Sequence, residues 1–513
     1  LKKALCPLFR LPALDQPILP TLRTLALRPR CSSPLSSMQR RIRAAVVLAA
    51  AIAAVGFGSC GLPSAWGLPA TRVACGGSGL RRIVQAQRWP PRVARRAAAS
   101  PREVTRLIST SPSAPAILSV LKQEMGAAHF NYVHVSAALH RLALRQRTIT
   151  SKVRRSPVLV AYLERAKDML AAGAMEARET ANMIWAVANL QKALPETLGL
   201  LPSLIELAIF EAGEMNIQHL SNSFWAIAKL RSAAPEMKRL VPVLAEKIID
   251  KADDAIPQHL SNMMWAVATM QGEVPEALQL VPVLVEMISD KFDDAEPQHV
   301  SNVFWAVATM HRTVPEALNL VPVLVEVAPG KVAGMNAQAV SNTLWSLSVL
   351  QPEQDEDVQA FLDGFQAAIL FKLKLDEFPA NNIAQAMWAL ACLDARNDTL
   401  MEASAQRVLA SIPRMSARSC YLDLPQITCS FAKLAFHHQE YMAAVESRLA
   451  HEVPRLNDWF LCALLWSYRR LDGDGRHSQF TSSLQRECQR RGISAAKVDR
   501  VTLGPTEWRH QKA

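Results

Sequence analysis

The sequence predicts an all-α fold, a right-handed α-solenoid of about eight two-helix repeats of ~40 residues each. Three observations predict it. Trp185, Trp225, Trp265, Trp305 and Trp345 lie 40 residues apart, and Trp388 follows after 43. Around each tryptophan up to 345 stands a variant of one octet, from Ala-Asn-Met-Ile-Trp-Ala-Val-Ala at 181–188 to Ser-Asn-Thr-Leu-Trp-Ser-Leu-Ser at 341–348. Glycine is scarce, 19 in 513 residues, which suits long helices better than turn-rich β architecture. A fixed period in this range marks units that cannot bury an apolar face alone and stack to share a core.

Each period divides into a first (A) and a second (B) helix. Pro257 and Pro297 stand where a helix can open, because a first-turn proline gives up no helical hydrogen bond. The A helix runs to five or six residues beyond the tryptophan. A Pro-Glu pair at Pro195, Pro235, Pro275 and Pro315 then starts a short turn. Pro202, Pro242, Pro282 and Pro322 occupy the first turn of the B helix. Fainter copies flank the regular block. Val133–Arg145 places His140 where tryptophan would stand, and 426–432 and 464–467 continue the series. The array is expected over 113–485, with regular repeats at 176–350 and degenerate ones on either side.

The flanks read differently. Residues 1–37 read as upstream or non-native sequence. Residues 38–65 combine a cationic start, a twelve-residue apolar run at 44–55 and small residues, the pattern of a secretory signal. Residues 66–112 form an Arg-rich, nearly acid-free segment, expected to be disordered and transit-like. A signal followed by such a stretch resembles the two-part presequence of algae with secondary plastids. Without the signal it resembles a mitochondrial presequence. Plastid is the expected location, mitochondrion the alternative. Residues 486–513 read as a basic tail.

Net charge is +15 over residues 1–100, +7 over 101–175, −9 over 176–350 and −1 beyond. The basic character therefore belongs to the N-terminal third, and the regular repeats are acidic. Nine cysteines, none between 76 and 391 and none in a C-x-x-C pair, argue against a disulfide framework or a zinc site and for a reducing compartment. No Gly-rich phosphate loop, metal-spaced set or nucleophile motif occurs. No enzyme activity, catalytic residue, cofactor or metal is expected. His219, His259 and His299 recur one per repeat, too far apart to share an ion, and read as solvated or locally bonded. Asp355-Glu356-Asp357 reads as a solvated loop, and Asp472-Gly473-Asp474-Gly475 as another.

At about 100° per residue, Leu260, Met264, Val267 and Met270 share one face of their helix, which must pack on helix B. Ser261 and Ala268 are small enough for a neighbouring A helix to approach closely. One quadrant remains polar. It holds Gln258, Asn262 and Thr269, with equivalents Gln218, Asn222 and Lys229; Gln298, Asn302 and Thr309; Gln338, Asn342 and Val349; and, in the first copy, Arg178, Asn182 and Asn189. Stacked helices carry these as polar rows along the surface that such arrays use for binding. The asparagine three before each tryptophan is unchanged from 182 to 342, as expected of a structural hydrogen-bond ladder. The residue four after it varies, as expected of a discriminating contact or of a drifting solvated position. The tryptophans read as wedges between repeats.

The block Pro-Gln-His-Leu-Ser-Asn-Met-Met-Trp-Ala-Val-Ala-Thr-Met at 257–270, and its sister at 297–310, resembles the octotricopeptide-type repeat. That group is related to the leucine-rich helical region of FAST-kinase-like proteins. The Asn-x-x-Trp-Ala core is the specific part; it covers 180–350 well and continues more weakly to about 470. The resemblance implies import into an organelle, binding to single-stranded organellar RNA, and a role in processing, stability, splicing or translation of particular transcripts. Many such relatives end in a RAP domain, and the last 40 residues show none. The candidate RNA contacts are then Asn182, Asn189, Gln218, Asn222, Lys229, Gln258, Asn262, Thr269, Gln298, Asn302, Thr309, Gln338 and Asn342. Arg141, Arg145, Arg147, Lys152, Arg154, Arg155, Arg486, Arg490 and Arg491 supply charge at the two ends for gripping backbone. The acidic repeats suit an alternative, a HEAT- or armadillo-like protein scaffold without RNA contact. RNA-processing or ribosomal proteins are further expected partners, and no membrane is expected to be one.

Overall fold

A computed structural model describes residues 100–353 and 355–499, all within one compact unit, Arg88–Ala513. Among them, twenty helices of ten residues or more follow one another as ten hairpins. The α-solenoid expected from the tryptophan period is the fold, and it runs two hairpins further than the sequence suggested.

One regular repeat explains the rest. Pro257–Met270 is the A helix, with Pro257 at its first position. A 3-10 turn at Pro275–Leu280 leads into the B helix Val281–Lys291. Leu260, Met263, Met264, Val267 and Met270 are fully buried, as are Leu280, Val281, Leu284 and Ile288 on the facing element. Burying each such side chain contributes roughly 1.5–3 kcal/mol, so the hairpin is held by this seam and by its neighbours rather than by helix propensity. Two of the repeating histidines, His259 and His299, serve as N-terminal caps. His259 Nδ1 accepts the Ile256 N–H at 3.5 Å, and His299 Nδ1 accepts that of Glu296 at 3.2 Å. Where the helix opens without proline, Asn216 and Asn336 accept the N–H of His219 and Ala339, at 2.9 Å each.

Successive A helices pack side by side along their whole length, from Pro101–Thr110 to Asp458–Leu471. The small residues make this close approach possible. Ser221 Oγ donates to His259 O at 3.2 Å on the next helix, and Ser301 Oγ donates to Ala339 O at 3.2 Å. The B helices of the regular block meet the next repeat through its 3-10 turn. Pro315–Gly334 is long and apolar enough to cross a membrane by length and composition alone. It packs as an outer element of a repeat, on Pro297–Met310 and on Glu356–Lys374.

The step of 43 residues before Trp388 has a local cause. After Leu350 the chain turns at Gln351 in the left-handed region (φ 45°), where the preceding copies continue through a right-handed turn. The 3-10 turn is replaced by a loop and a longer B helix, Glu356–Lys374. Asp355, expected in a solvated loop, is the N-cap of that helix and accepts the Val358 N–H at 2.9 Å, with Glu356 and Asp357 in the first turn.

Two segment boundaries move. The unstructured stretch expected to reach 112 gives way at Pro101–Thr110 to a helix capped by Ser100. Val104 and Ile108, one turn apart, are buried in an otherwise exposed segment, and that apolar pair is enough to dock it. The basic tail expected from 486 is folded as far as the described residues go, within Ser478–Arg490 and Ala495–Asp499. The segments 1–37 and 38–65, the remainder of the transit-like stretch to 99, and residues 500–513 lie outside the described residues.

Candidate nucleic-acid interface

Residues at −7, −3, 0 and +4 from each tryptophan lie on one face of the A helix, because steps of three and four residues return close to the same direction. That face is turned away from helix B. Gln218, Gln258, Gln298 and Gln338, at −7, are exposed, and Arg178 is exposed in the same row. Asn182, Asn222, Asn262, Asn302 and Asn342, at −3, are partly exposed. Asn189, Lys229, Thr269 and Thr309, at +4, are also partly exposed, while Val349 is buried. All thirteen candidate residues therefore reach one continuous strip, across five adjacent helices.

The tryptophans form its middle row. Trp185, Trp225, Trp265 and Trp305 are partly exposed, with successive ring centroids 6.4, 6.1 and 6.2 Å apart and interplanar angles of 27–37°. His140 continues the row, 4.9 Å from Trp185. The rings wedge between repeats, as expected, and one edge of the row is also part of the open surface. The indole N–H groups of Trp185, Trp225 and Trp265 have no acceptor among the described residues and are not sealed from solvent, whereas that of Trp388 is buried.

The expected asparagine ladder is absent. Gln298 Nε2 donates to Asn302 Oδ1 at 2.9 Å within one helix, and Gln385 Nε2 donates to Asn342 Oδ1 at 3.0 Å across repeats. Asn182, Asn222 and Asn262 have no side-chain partner among the described residues. Neighbouring asparagines of the row make no hydrogen bond to one another, so sameness along it has another basis than a ladder. The stitching between repeats is done instead at +6 from the tryptophan. Gln191 Nε2 donates to Lys229 O at 3.2 Å and Gln271 Nε2 to Thr309 O at 3.1 Å, satisfying carbonyls that a helix end leaves open.

The +4 row is uneven. Thr309 Oγ1 donates to Trp305 O at 2.7 Å, and Thr269 Oγ1 is buried without a partner. Asn189 Nδ2 donates to Trp185 O at 2.9 Å, and Lys229 Nζ donates to Asn189 Oδ1 at 2.7 Å. The ammonium also lies 4.4 Å from the centroid of the Trp225 ring. Burial lowers the Lys229 pKa from its ordinary value, and neighbouring Lys192 adds to the shift.

Charge is segregated by element. Of the twenty acidic residues at 176–350, Glu179 alone lies on an A helix. It is buried and holds Arg178 at 2.6 Å. Glu206, Glu246, Glu286 and Glu326 form an exposed row on the B helices. The strip is thus neutral apart from Lys229, although the repeats that carry it are acidic. The arginines assigned to the ends divide in the same way. Arg147, Lys152 and Arg155 are exposed, and Arg154 pairs with Glu196 at 2.8 Å. Arg490 pairs with Glu487 on its own helix and stays exposed, whereas Arg491, held by the same Glu487, donates to Leu456 O and Pro454 O and so joins helices.

Beyond Asn342 the strip closes. Trp345 and Trp388 are 1% and 0% exposed. They form a second apolar cluster with Ala308, Val349, Cys429 and Ala463, covered in part by Trp459 and Trp466. Two residues of this stretch were not among the candidates. Asn381 and Gln385 hold the −7 and −3 positions of Trp388; applying those offsets to the sixth tryptophan would have found both.

Comparison with curated proteins returns no match. A family model described as RNA-editing substrate-binding complex 8 protein matches residues 203–465, just over half of the chain, from the first regular B helix to the last A helix. The chain belongs to the RNA-editing substrate-binding complex 8 protein family.

Proposed function

We propose that the chain binds single-stranded RNA along the A-helix strip and acts in post-transcriptional RNA metabolism, in the processing, stability or translation of organelle transcripts, without catalysing a reaction itself. The family, whose name refers to binding of RNA-editing substrates, supports RNA as the ligand. The carrying observation is the strip: unpartnered asparagine amides and open indole N–H groups repeat on a face cleared of acidic side chains. Amides and N–H donors suit the Watson–Crick and Hoogsteen edges that only an unpaired strand presents. Five helices carry the open rows, so a footprint of about five nucleotides follows at one base per repeat. The octotricopeptide-like block and the presequence-like N-terminus support a plastid, with mitochondrion as the alternative. Ultraviolet crosslinking in cells, followed by sequencing of the bound RNA, tests this reading; recovery of organellar transcripts is expected, and recovery at background would remove it.

The exposed glutamate row on the B helices favours a second role, docking of a basic protein partner on the opposite layer. Affinity purification after nuclease treatment tests it: partners that persist at stoichiometric amounts belong to the B layer.

A further inference from the structure

We propose that base discrimination along the strip is concentrated at one position, Lys229, and that this position takes a guanine. This rests on the RNA reading above.

Five residues occupy the +4 row, and four of them are buried or already hydrogen-bonded within the protein. Thr309 is turned back to its own helix, the Thr269 hydroxyl is buried, Val349 is apolar and buried, and Asn189 is engaged through both its oxygen and its nitrogen. Lys229 differs. Its ammonium has three N–H donors. Asn189 takes one, and Lys229 donates to no other side chain among the described residues. Asn189 Oδ1 on one side and the Trp225 face on the other fix where the remaining two point. A lysine on a flexible stem ordinarily has no such direction. Asn189 is therefore a positioning residue for Lys229, itself held by Trp185 O.

Two donors left open on one cation call for two adjacent acceptors. Guanine presents O6 and N7 side by side on one edge. On that same Hoogsteen edge adenine pairs N7 with an N6 amino donor, cytosine presents its N4 amino group and uracil offers O4 alone. Cytosine's own adjacent acceptors, O2 and N3, lie on its Watson–Crick edge, so a single-cytidine series that binds as tightly as the guanosine series overturns the assignment. Half-burial beside an aromatic face removes competing water, which strengthens the ammonium hydrogen bonds. The −3 and −7 rows repeat the same amides in successive helices, so they hold a strand without distinguishing one step from the next.

The test is fluorescence anisotropy of the full chain with labelled uridine octamers carrying one guanosine at each position in turn. The best-placed guanosine is expected to bind roughly ten-fold tighter than all-uridine, the discrimination of one bidentate pair. Inosine, which keeps O6 and N7, retains the gain; 7-deazaguanosine loses it. Lys229→Met brings the guanosine-to-uridine ratio close to one, Lys229→Arg keeps it above one, and Asn189→Leu lowers it while the protein melts as the parent does. The inference is overturned if the ratio survives Lys229→Met. It is equally overturned if that variant weakens all octamers by one factor with a shallower salt dependence, the mark of a phosphate contact. Absence of binding to any octamer by the parent protein would instead remove the RNA reading itself.

Discussion

Trp459 meets Trp388 edge to face with ring centroids 5.4 Å apart, although a whole A helix, Ala417–Lys433, lies between their own helices in the chain. One indole therefore reaches past a repeat on this face. This contact is what ends the open strip.

Removing it should both weaken the fold and lengthen the strip. Trp459→Ala is expected to cost about 3 kcal/mol, the low end for a buried aromatic because Trp459 keeps some exposure. Denaturant melts give that number. The same variant uncovers Trp388, so the shortest oligonucleotide that saturates binding should grow.

The −3 asparagines should separate binding from stability. Asn262 has no side-chain partner among the described residues, so Asn262→Ala should change stability by less than about 0.5 kcal/mol while weakening RNA binding. Asn342 accepts from Gln385 at 3.0 Å, and Asn342→Ala should cost about 1 kcal/mol by stranding that donor. Thermal melts of the two variants side by side check the contrast.

Asp355 marks where the repeat changes length. Asp355→Ala should cost about 1 kcal/mol through loss of the cap on Val358 N and of negative charge at a helix start. Asp355→Asn should recover most of it, because the amide oxygen still caps. A solvated-loop aspartate would show no loss in either melt.

Acid should loosen the array before it reaches ordinary carboxylate range. Burial lowers the pKa values of His219, His259 and His299 below the ordinary 6.5, and Nδ1 of His219 is sealed without a partner. The unfolded chain then takes up protons first as pH falls. The stability these groups contribute is complete above the unfolded value, declines as pH drops through 6.5, and is gone below their folded values. Glu487 acts in a lower window, since Arg490 and Arg491 hold it down to about 2. A melting temperature lower at pH 5.5 than at pH 7.5, with the gap narrowed in a His219→Asn/His259→Asn/His299→Asn variant, is the expected result.

Much of the fold was legible because the repeat prints itself in the sequence. Trp, Asn and the two prolines recur at fixed offsets, and each offset has one packing role, so helix A, the short turn and helix B could be placed by number. The polar strip was legible for the same reason: −7, −3 and +4 share a helix face whatever the tertiary context. What could not be read depended on neighbours. The first hairpin lacks the tryptophan and declares itself only through the pair Val104 and Ile108. The asparagine row looked like a ladder because sequence shows sameness but not spacing across helices. The acidity of the repeats looked adverse to RNA because a sum over 176–350 hides that Glu206, Glu246, Glu286 and Glu326 face the opposite layer. Burial of Trp345 and Trp388 depends on side chains of other repeats, among them Ala308, Cys429 and Ala463, which no single repeat contains.

The most direct measurement is the affinity of the purified chain for short unstructured RNA, compared between the parent and an Asn222→Ala/Asn262→Ala/Lys229→Ala variant whose melt matches the parent. Binding that saturates near five nucleotides and falls at least ten-fold in the variant is the result predicted for an open strip on the A layer. Equal affinity in the two proteins, or none in either, would contradict it.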